Sequence, residues 1–310
     1  MHGDDLHQRT DSDADTAGNR IQPVKPSLAI VGAGKVGATL ARLCFARGYG
    51  IETVYSRTFG HAEALATRVG AQAVETADEV RGVLALIAVP DDAVGATAEA
   101  LKGFNGRAAV HTSGVHDANA LEVLAARGVQ VGGLHPVYPF TDVERSIAGL
   151  PGATFAVEAS DEPLKGWLGE LVVALDGWML VIPAGGKALY HAALAMMSSY
   201  TVTLYALAEK LLLGLGAEKT AADHALVGLL AGAVENLRVQ GIPNALTGPL
   251  TRVDVKTIAA HMDALGAVAP QIAEAYQQLA RLTYPLLLER GITAEEIARI
   301  ERLFRDSTGM

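Results

Sequence analysis

A doubly wound parallel Rossmann sheet of the α/β class, followed by an all-helical second domain, is the fold this sequence predicts. Three observations carry that expectation. Short apolar runs alternate with helical periodicities from Ser27 to Ile182. The first run ends in a cluster of glycines between Gly32 and Gly37. From Lys187 onward only helical patterns occur.

The elements follow in order. Strands are predicted at Ser27–Val31, Ile51–Tyr55, Ala73–Val74, Val83–Val89, Ala108–His111, Val129–Leu134, Thr154–Glu158 and Trp178–Ile182. Between them, helices are predicted over Val36–Arg47, His61–Val69, a segment opening at Asp91 or Asp92 and closing near Leu101, Ala118–Arg127 and Leu164–Leu175. Gly185-Gly186 then punctuates the chain, and helices are predicted near 187–214, 218–239, 254–265, 268–289 and 294–305. A length of 310 residues suits two domains, expected at 27–184 and 185–310. Residues 1–26 are polar and rich in Asp, and are expected to form a disordered leader with no apolar core of a secretory signal.

Composition narrows the function classes. The net charge is −9 and no basic cluster occurs, so nucleic-acid binding is not expected. Cys44 is the single cysteine, which excludes an intramolecular disulfide. It reads as a small core residue, compatible with a reducing cytoplasm. Ala188–Ala208 lacks Lys, Arg, Asp and Glu and is long enough to cross a bilayer, but His191, Ser198, Ser199, Thr201 and Thr203 interrupt it. A central helix buried between domains or subunits is the better reading, and no membrane span is expected. No metal site is expected either.

Gly32-Ala33-Gly34-Lys35-Val36-Gly37 matches G-x-G-x-x-G, and it lies between a predicted strand and a predicted helix, the context that dinucleotide binding requires. Gly32 makes the turn, Gly34 lets the backbone approach a pyrophosphate, and Gly37 lets helix pack on strand. The second strand ends in Tyr55-Ser56-Arg57-Thr58, with no acid at its tip to accept from a ribose 2′-OH. Ser56, Arg57 and Thr58 suit a 2′-phosphate, so NADP(H) is the expected cofactor. Glu52 is the competing acid, but it opens the strand. Val89 and Pro90 should pass beside the cofactor, with Asp91 or Asp92 capping the next helix.

Ligands of open α/β sheets lie outside the carboxyl ends of the strands. Ser113, in His111-Thr-Ser-Gly114, and His135, ahead of Pro136, end the fifth and sixth strands. Both are candidates to orient a substrate. Lys187 and His191 share a helix face, and Ser198 falls near it at 3.6 residues per turn. Such a polar stripe in an apolar helix is costly unless it is used. Lys187 is the candidate proton donor, with Ser198 a substrate contact. Arg252, in Thr247-Gly-Pro-Leu-Thr-Arg252, could clamp a carboxylate, and Asp254 could cap a helix.

Taken in order, Gly32–Gly37, Ala88-Val-Pro-Asp-Asp92, His111-Thr-Ser-Gly114, Leu134-His-Pro136, Lys187-Ala-Leu-Tyr-His-Ala192 and Leu246–Arg252 resemble a family that joins a Rossmann-like domain to a helical domain of unknown function. Some of its members are alternative ketopantoate reductases, and the wider group is similar to pyrroline-5-carboxylate reductases and β-hydroxyacid dehydrogenases. The resemblance covers residues 28–305. It implies that Lys187 matches the lysine opening the interdomain helix of the hydroxyacid dehydrogenases. His191 stands where those enzymes carry asparagine. It also implies a homodimer built from the helical domain.

The expected function is therefore that of a cytoplasmic NADPH-dependent oxidoreductase acting on the keto group of a small carboxylate, with ketopantoate the most specific substrate. Lys187, His191, Ser113 and His135 would be catalytic. Reduction of an imine such as pyrroline-5-carboxylate is the alternative. A non-catalytic NADP(H)-sensing module is the rival from another class.

Overall fold

The computed structural model describes residues 25–307, so all but Lys25 and Pro26 of the expected leader lie outside the described residues. The chain divides into two compact units, Met1–Leu194 and Ala195–Met310. The first opens with β1 (Leu28–Val31), α1 (Lys35–Ala46), β2 (Ile51–Tyr55), α2 (Phe59–Val69), β3 (Gln72–Val74), β4 (Leu84–Ile87), α3 (Val94–Ala100) and β5 (Ala108–His111). It continues with α4 (Glu122–Ala125), β6 (Gln130–Pro136), α5 (Val143–Gly149), β7 (Thr154–Ala159), α6 (Glu162–Ala174) and β8 (Trp178–Val181). The helix α7 (Lys187–Met197) begins in this unit.

The eight strands form one sheet in the order β3-β2-β1-β4-β5-β6-β7-β8. Alternate strand residues feed cores on opposite faces, as a period of two dictates. Leu28, Ile30, Leu84, Leu86 and Val110 pack under α1, α2 and α6. Ala29, Val31, Ala85, Ile87 and Ala109 pack against residues of α3 and α4. With both faces covered, β1 and β4 are buried at every residue.

The first unit departs from the sequence expectation around β7. The strand β7 runs antiparallel to β6, and β8 follows β7. Phe155, the second residue of β7, therefore lies directly opposite Pro136 at the end of β6, and the connection only has to turn round. That turn contains α5, which the sequence reading left unassigned. It is short, and its start is fixed by Asp142, whose carboxylate accepts the Arg145 N–H. Pairing with β7 also carries β6 through His135 and Pro136, which were expected just beyond the strand.

The second unit holds α8 (Ser199–Gly214), α9 (Lys219–Gln240), α10 (Val255–Val268), α11 (Pro270–Glu289) and α12 (Ala294–Ser307). Ile258, Met262, Ala273, Ala280, Ile300 and Phe304 form its core. Asp254 caps α10 by accepting the Thr257 N–H, as expected. The single helix predicted over 187–214 is instead two, broken at Ser198 (φ −96°, ψ −74°). Adjacent serines and back-bonding threonines bend helices. Here Thr201 Oγ1 donates to the Met197 carbonyl and Thr203 Oγ1 to that of Ser199. The break removes the continuous helical phase that put Ser198 on the face of Lys187 and His191. Leu189, Met197, Tyr200 and Val202 of this segment are exposed in the single chain. No helix among the described residues is long and apolar enough to cross a membrane.

Phe155 is fully buried at the start of the reversed strand. Phe155→Ala should destabilise the first unit by about 3–5 kcal/mol, the usual cost of emptying a buried aromatic site. Urea unfolding followed by circular dichroism measures it, and an unchanged midpoint would show that β7 is not held by this ring.

Candidate active site

The glycine turn is built by close backbone approach. Gly32 has φ +103°, donates its N–H to the Tyr55 carbonyl at 2.7 Å, and would place a Cβ 2.3 Å from the Ala88 carbonyl oxygen. A Cβ on Gly37 would lie 1.9 Å from the carbonyl oxygen of Gly32. At Gly34, by contrast, a Cβ would meet nothing within 4 Å. Gly34 caps α1 without a side-chain hydrogen bond, so the first N–H groups of a twelve-residue helix face open space. That is a cradle for an anion.

The cradle opens into a cleft of about 410 Å³ lined by Gly32, Ala33, Gly34, Ser56, Arg57, Thr58, Val89 and Pro90. These are eight of the residues expected around a cofactor. Lys35 is exposed on the first turn of α1. Glu52, the competing acid, accepts a hydrogen bond from the Ser27 hydroxyl at the far end of its strand. Asp91 and Asp92 lie in a 3-10 turn and do not cap it, Pro90 holding that position.

Val89 also lines a second, smaller cavity of about 180 Å³. Val36, Asp91, Thr112, Gly114, His135, Tyr138, Phe140 and His191 surround it. Gly114 lies against both histidines, since a Cβ there would be 2.9 Å from His135 Nε2 and 3.0 Å from His191 Cδ2. His135 Nδ1 is 2.7 Å from the Tyr190 hydroxyl. Burial, and then the Lys187 charge, lower the His135 pKa to about 4, so its ring is neutral at pH 7.

Lys187 is 1% exposed, the first residue of α7 and its only buried one. Its Nζ donates to the Ser113 carbonyl at 3.3 Å and stands 5.7 Å from the centre of the Tyr190 ring. Burial lowers its pKa, while Glu158 and then Asp117 raise it. Ser113 therefore meets Lys187 through its backbone. Its hydroxyl accepts the N–H groups of Val115 and His116.

The structure thus brings Ser113, His135, Lys187 and His191 together within the first unit. Ser198 and the exposed Arg252 stand on the second. Sequence reasoning missed three residues. Tyr190 follows Lys187 at i+3, a spacing that shares a helix face. His111 is fully buried, with Nε2 at 3.0 Å from the Asp117 carbonyl and Nδ1 without a partner. Glu158 is a lone acid in the apolar strand Thr-Phe-Ala-Val-Glu-Ala, a signal legible as a charge that burial would have to justify.

A Rossmann-like sheet with a glycine-rich turn and a cofactor-sized cleft defines the class of the first unit as that of dinucleotide-binding folds. Residues 27–113 match the family described as NADP oxidoreductase, coenzyme F420-dependent, and residues 153–283 match a domain of unknown function, DUF2520. The fold is shared with protein TM1727 of Thermotoga maritima (21% identity, TM-score 0.74, covering 86% of this chain and 100% of that one). It is shared too with protein BF3122 of Bacteroides fragilis (24% identity, TM-score 0.64, 83% and 97%). A pyrroline-5-carboxylate reductase of Coxiella burnetii shows the same architecture (13% identity, TM-score 0.54, 92% and 98%). No curated protein matches the chain.

Burial also holds the His111 pKa down at about 4. Both imidazoles thus titrate near pH 4 when folded and near 6.5 when unfolded. Between those values the unfolded chain binds more protons, so stability is full above pH 6.5 and falls as the pH drops toward 4. Urea unfolding at a series of pH values should show this slope, reduced in His135→Gln. An equal slope in the variant would mean that His135 does not titrate with folding.

Proposed function

We propose that this chain is an NADPH-dependent reductase of a carbonyl carbon on a small carboxylate, with ketopantoate the substrate to test first. The observation that carries the reading is a neutral His135 lining a cavity that shares Val89 with the cofactor cleft, with the buried Lys187 bonded to the carbonyl of Ser113, the residue before Gly114 in that cavity's wall.

The residues fit the cofactor. Gly34 and the start of α1 present free N–H groups to the pyrophosphate, and Ser56, Arg57 and Thr58 form the subsite for the 2′-phosphate. Bound there, the reduced nicotinamide supplies a hydride. Lys187 gives a proton to the oxygen that gains charge as the carbonyl is reduced, and it is most effective where water is excluded. With the Tyr190 hydroxyl as donor to His135 Nδ1, the ring proton would stand on Nε2, on the side of Gly114. From there it can hydrogen-bond the same oxygen. His191 closes the other side of Gly114 and orients the substrate. Ser113 contributes its carbonyl to the aim of Lys187. Ser198 and Arg252 carry no role in this scheme.

Imine reduction is a second reading, favoured by the fold shared with the pyrroline-5-carboxylate reductase. The same lysine would then protonate or hold a nitrogen. We also propose a homodimer through the second unit. The helices α8 and α9, with Leu215 just past the end of α8, leave Tyr200, Val202, Leu215, Leu229, Val234 and Val239 exposed, and large exposed apolar patches mark interaction surfaces. Sedimentation velocity should give twice the chain mass, and a monomer at micromolar concentration would remove this part of the proposal.

NADPH oxidation with ketopantoate, other 2-keto acids and cyclic imines tests the reaction. Lys187→Ala should lower kcat by about 10²–10⁴-fold, the range of general acid catalysis, with NADPH affinity retained. Unchanged turnover would end the assignment of Lys187. Arg57→Ala should weaken NADPH binding by about ten-fold or more, the loss of one charge-assisted hydrogen bond, and leave NADH binding unaltered. Equal losses for both would place Arg57 outside the 2′-phosphate subsite.

A further inference from the structure

Three residues on neighbouring strands form one row across the sheet. His111 of β5 pairs with Gly133 of β6, and Gly133 pairs with Glu158 of β7. Residues opposite one another in a ladder point to the same face, so the His111 and Glu158 side chains flank the bare Gly133 from strands about 4.8 Å to either side. Lys187 Nζ sits above that gap: a Cβ on Gly133 would be 3.2 Å from it, and 3.3 Å from His111 Cε1. The row gives a buried ammonium a floor with a neutral imidazole on one side and a carboxyl on the other.

We infer that Glu158 is the positioning residue that keeps Lys187 charged and aimed, and so sets the upper pH limit of the reaction. The inference rests on Lys187 being the proton donor proposed above. Glu158 is itself buried, at 9% exposure, and its Oε2 accepts the Ala118 N–H at 3.1 Å, which fixes the carboxylate beside the row. It is the largest charge acting to hold the proton on Lys187, against the burial that would strip it. The other groups facing the ammonium do less or oppose it. Asp117, from the loop after β5, is the second anion. His111 of β5 and His135 of β6 are neutral near pH 7, Tyr190 presents its ring, and His191 lies beyond Gly114. In the reaction the Nζ–H bond breaks as the substrate O–H bond forms, and the neutral amine regains its proton from solvent. Glu158 makes that return favourable; burial raises its own pKa, which the Ala118 N–H and then the Lys187 charge act to lower.

The competing role is purely structural, as an acceptor that ties the 117–118 loop to β7. Glu158→Gln keeps an acceptor for the Ala118 N–H and removes only the charge. With the anion gone the Lys187 pKa must fall, because the charged form loses its partner. The falling alkaline limb of the kcat profile should move down by about one pH unit, a ten-fold loss of kcat above it. At lower pH, where Lys187 is protonated in both proteins, kcat should return to the wild-type value with KM for NADPH unchanged. Glu158→Asp should restore part of the shift. Titration of the Lys187 Cε resonance in ¹³C-lysine-labelled protein reads the same pKa without turnover. A Lys187 pKa that does not move in Glu158→Gln overturns the inference. If it moves but Lys187→Ala still turns over normally, Glu158 does set the charge of Lys187, and it is the donor role of Lys187 that fails.

Discussion

The first unit holds the ammonium group of Lys187 out of water, at 1% exposure. An isolated charge in a protein interior costs several kcal/mol or loses its proton, and an ion pair alone repays this only with good geometry. Lys187 meets that constraint with a backbone carbonyl from Ser113, the face of Tyr190 and two carboxylates at a distance. The space for it exists because Gly133 has no side chain. A sheet position that elsewhere would carry a valine is here left empty so that a cation can sit above it.

The same constraint explains why the imidazoles beside it stay neutral. Burial is the main cause of the lowered pKa at His111 and His135, and the Lys187 charge adds to it at both. Two protonated rings next to the ammonium would leave the carboxylates outnumbered. His135 is neutral near pH 7, and its Nδ1 is engaged by the Tyr190 hydroxyl. In the proposed reaction these would be two tasks on two residues, Lys187 carrying the proton and His135 fixing the position of the atom that receives it.

Much of this was legible in the sequence, and the limits have physical causes. The central strands β1, β4 and β5 were marked by apolar runs because they are buried at every residue, and the edge strand β8 was marked by its composition although it is exposed in the single chain. The glycine turn was readable because steric demands at Gly32 and Gly37 exclude any side chain. The break at Ser198 was not, because the apolar pattern runs through it and the bend comes from hydroxyl groups competing for carbonyls. The direction of β7 was hidden for a related reason: a strand shows its burial in its composition but not its direction. Glu158 was passed over with it. Its meaning depends on pairing with Gly133, a long-range register that local pattern does not encode.

The reversal of β7 is what gives that register its chemistry. The cofactor cleft follows the loops after β1, β2 and β4, as in any open parallel sheet. In the parallel part of the sheet, functional side chains gather at the carboxyl edge. An antiparallel β7 enters at that edge with Phe155 and reaches Glu158 three residues deeper, opposite Gly133, two residues before His135 on the same face of β6. The carboxylate thus arrives beneath the ammonium from inside the sheet, on a rigid strand, while the solvent-facing side of the site is left to Gly114 and the histidines. Placing the anion in the floor gives the lysine its counter-charge from a rigid strand.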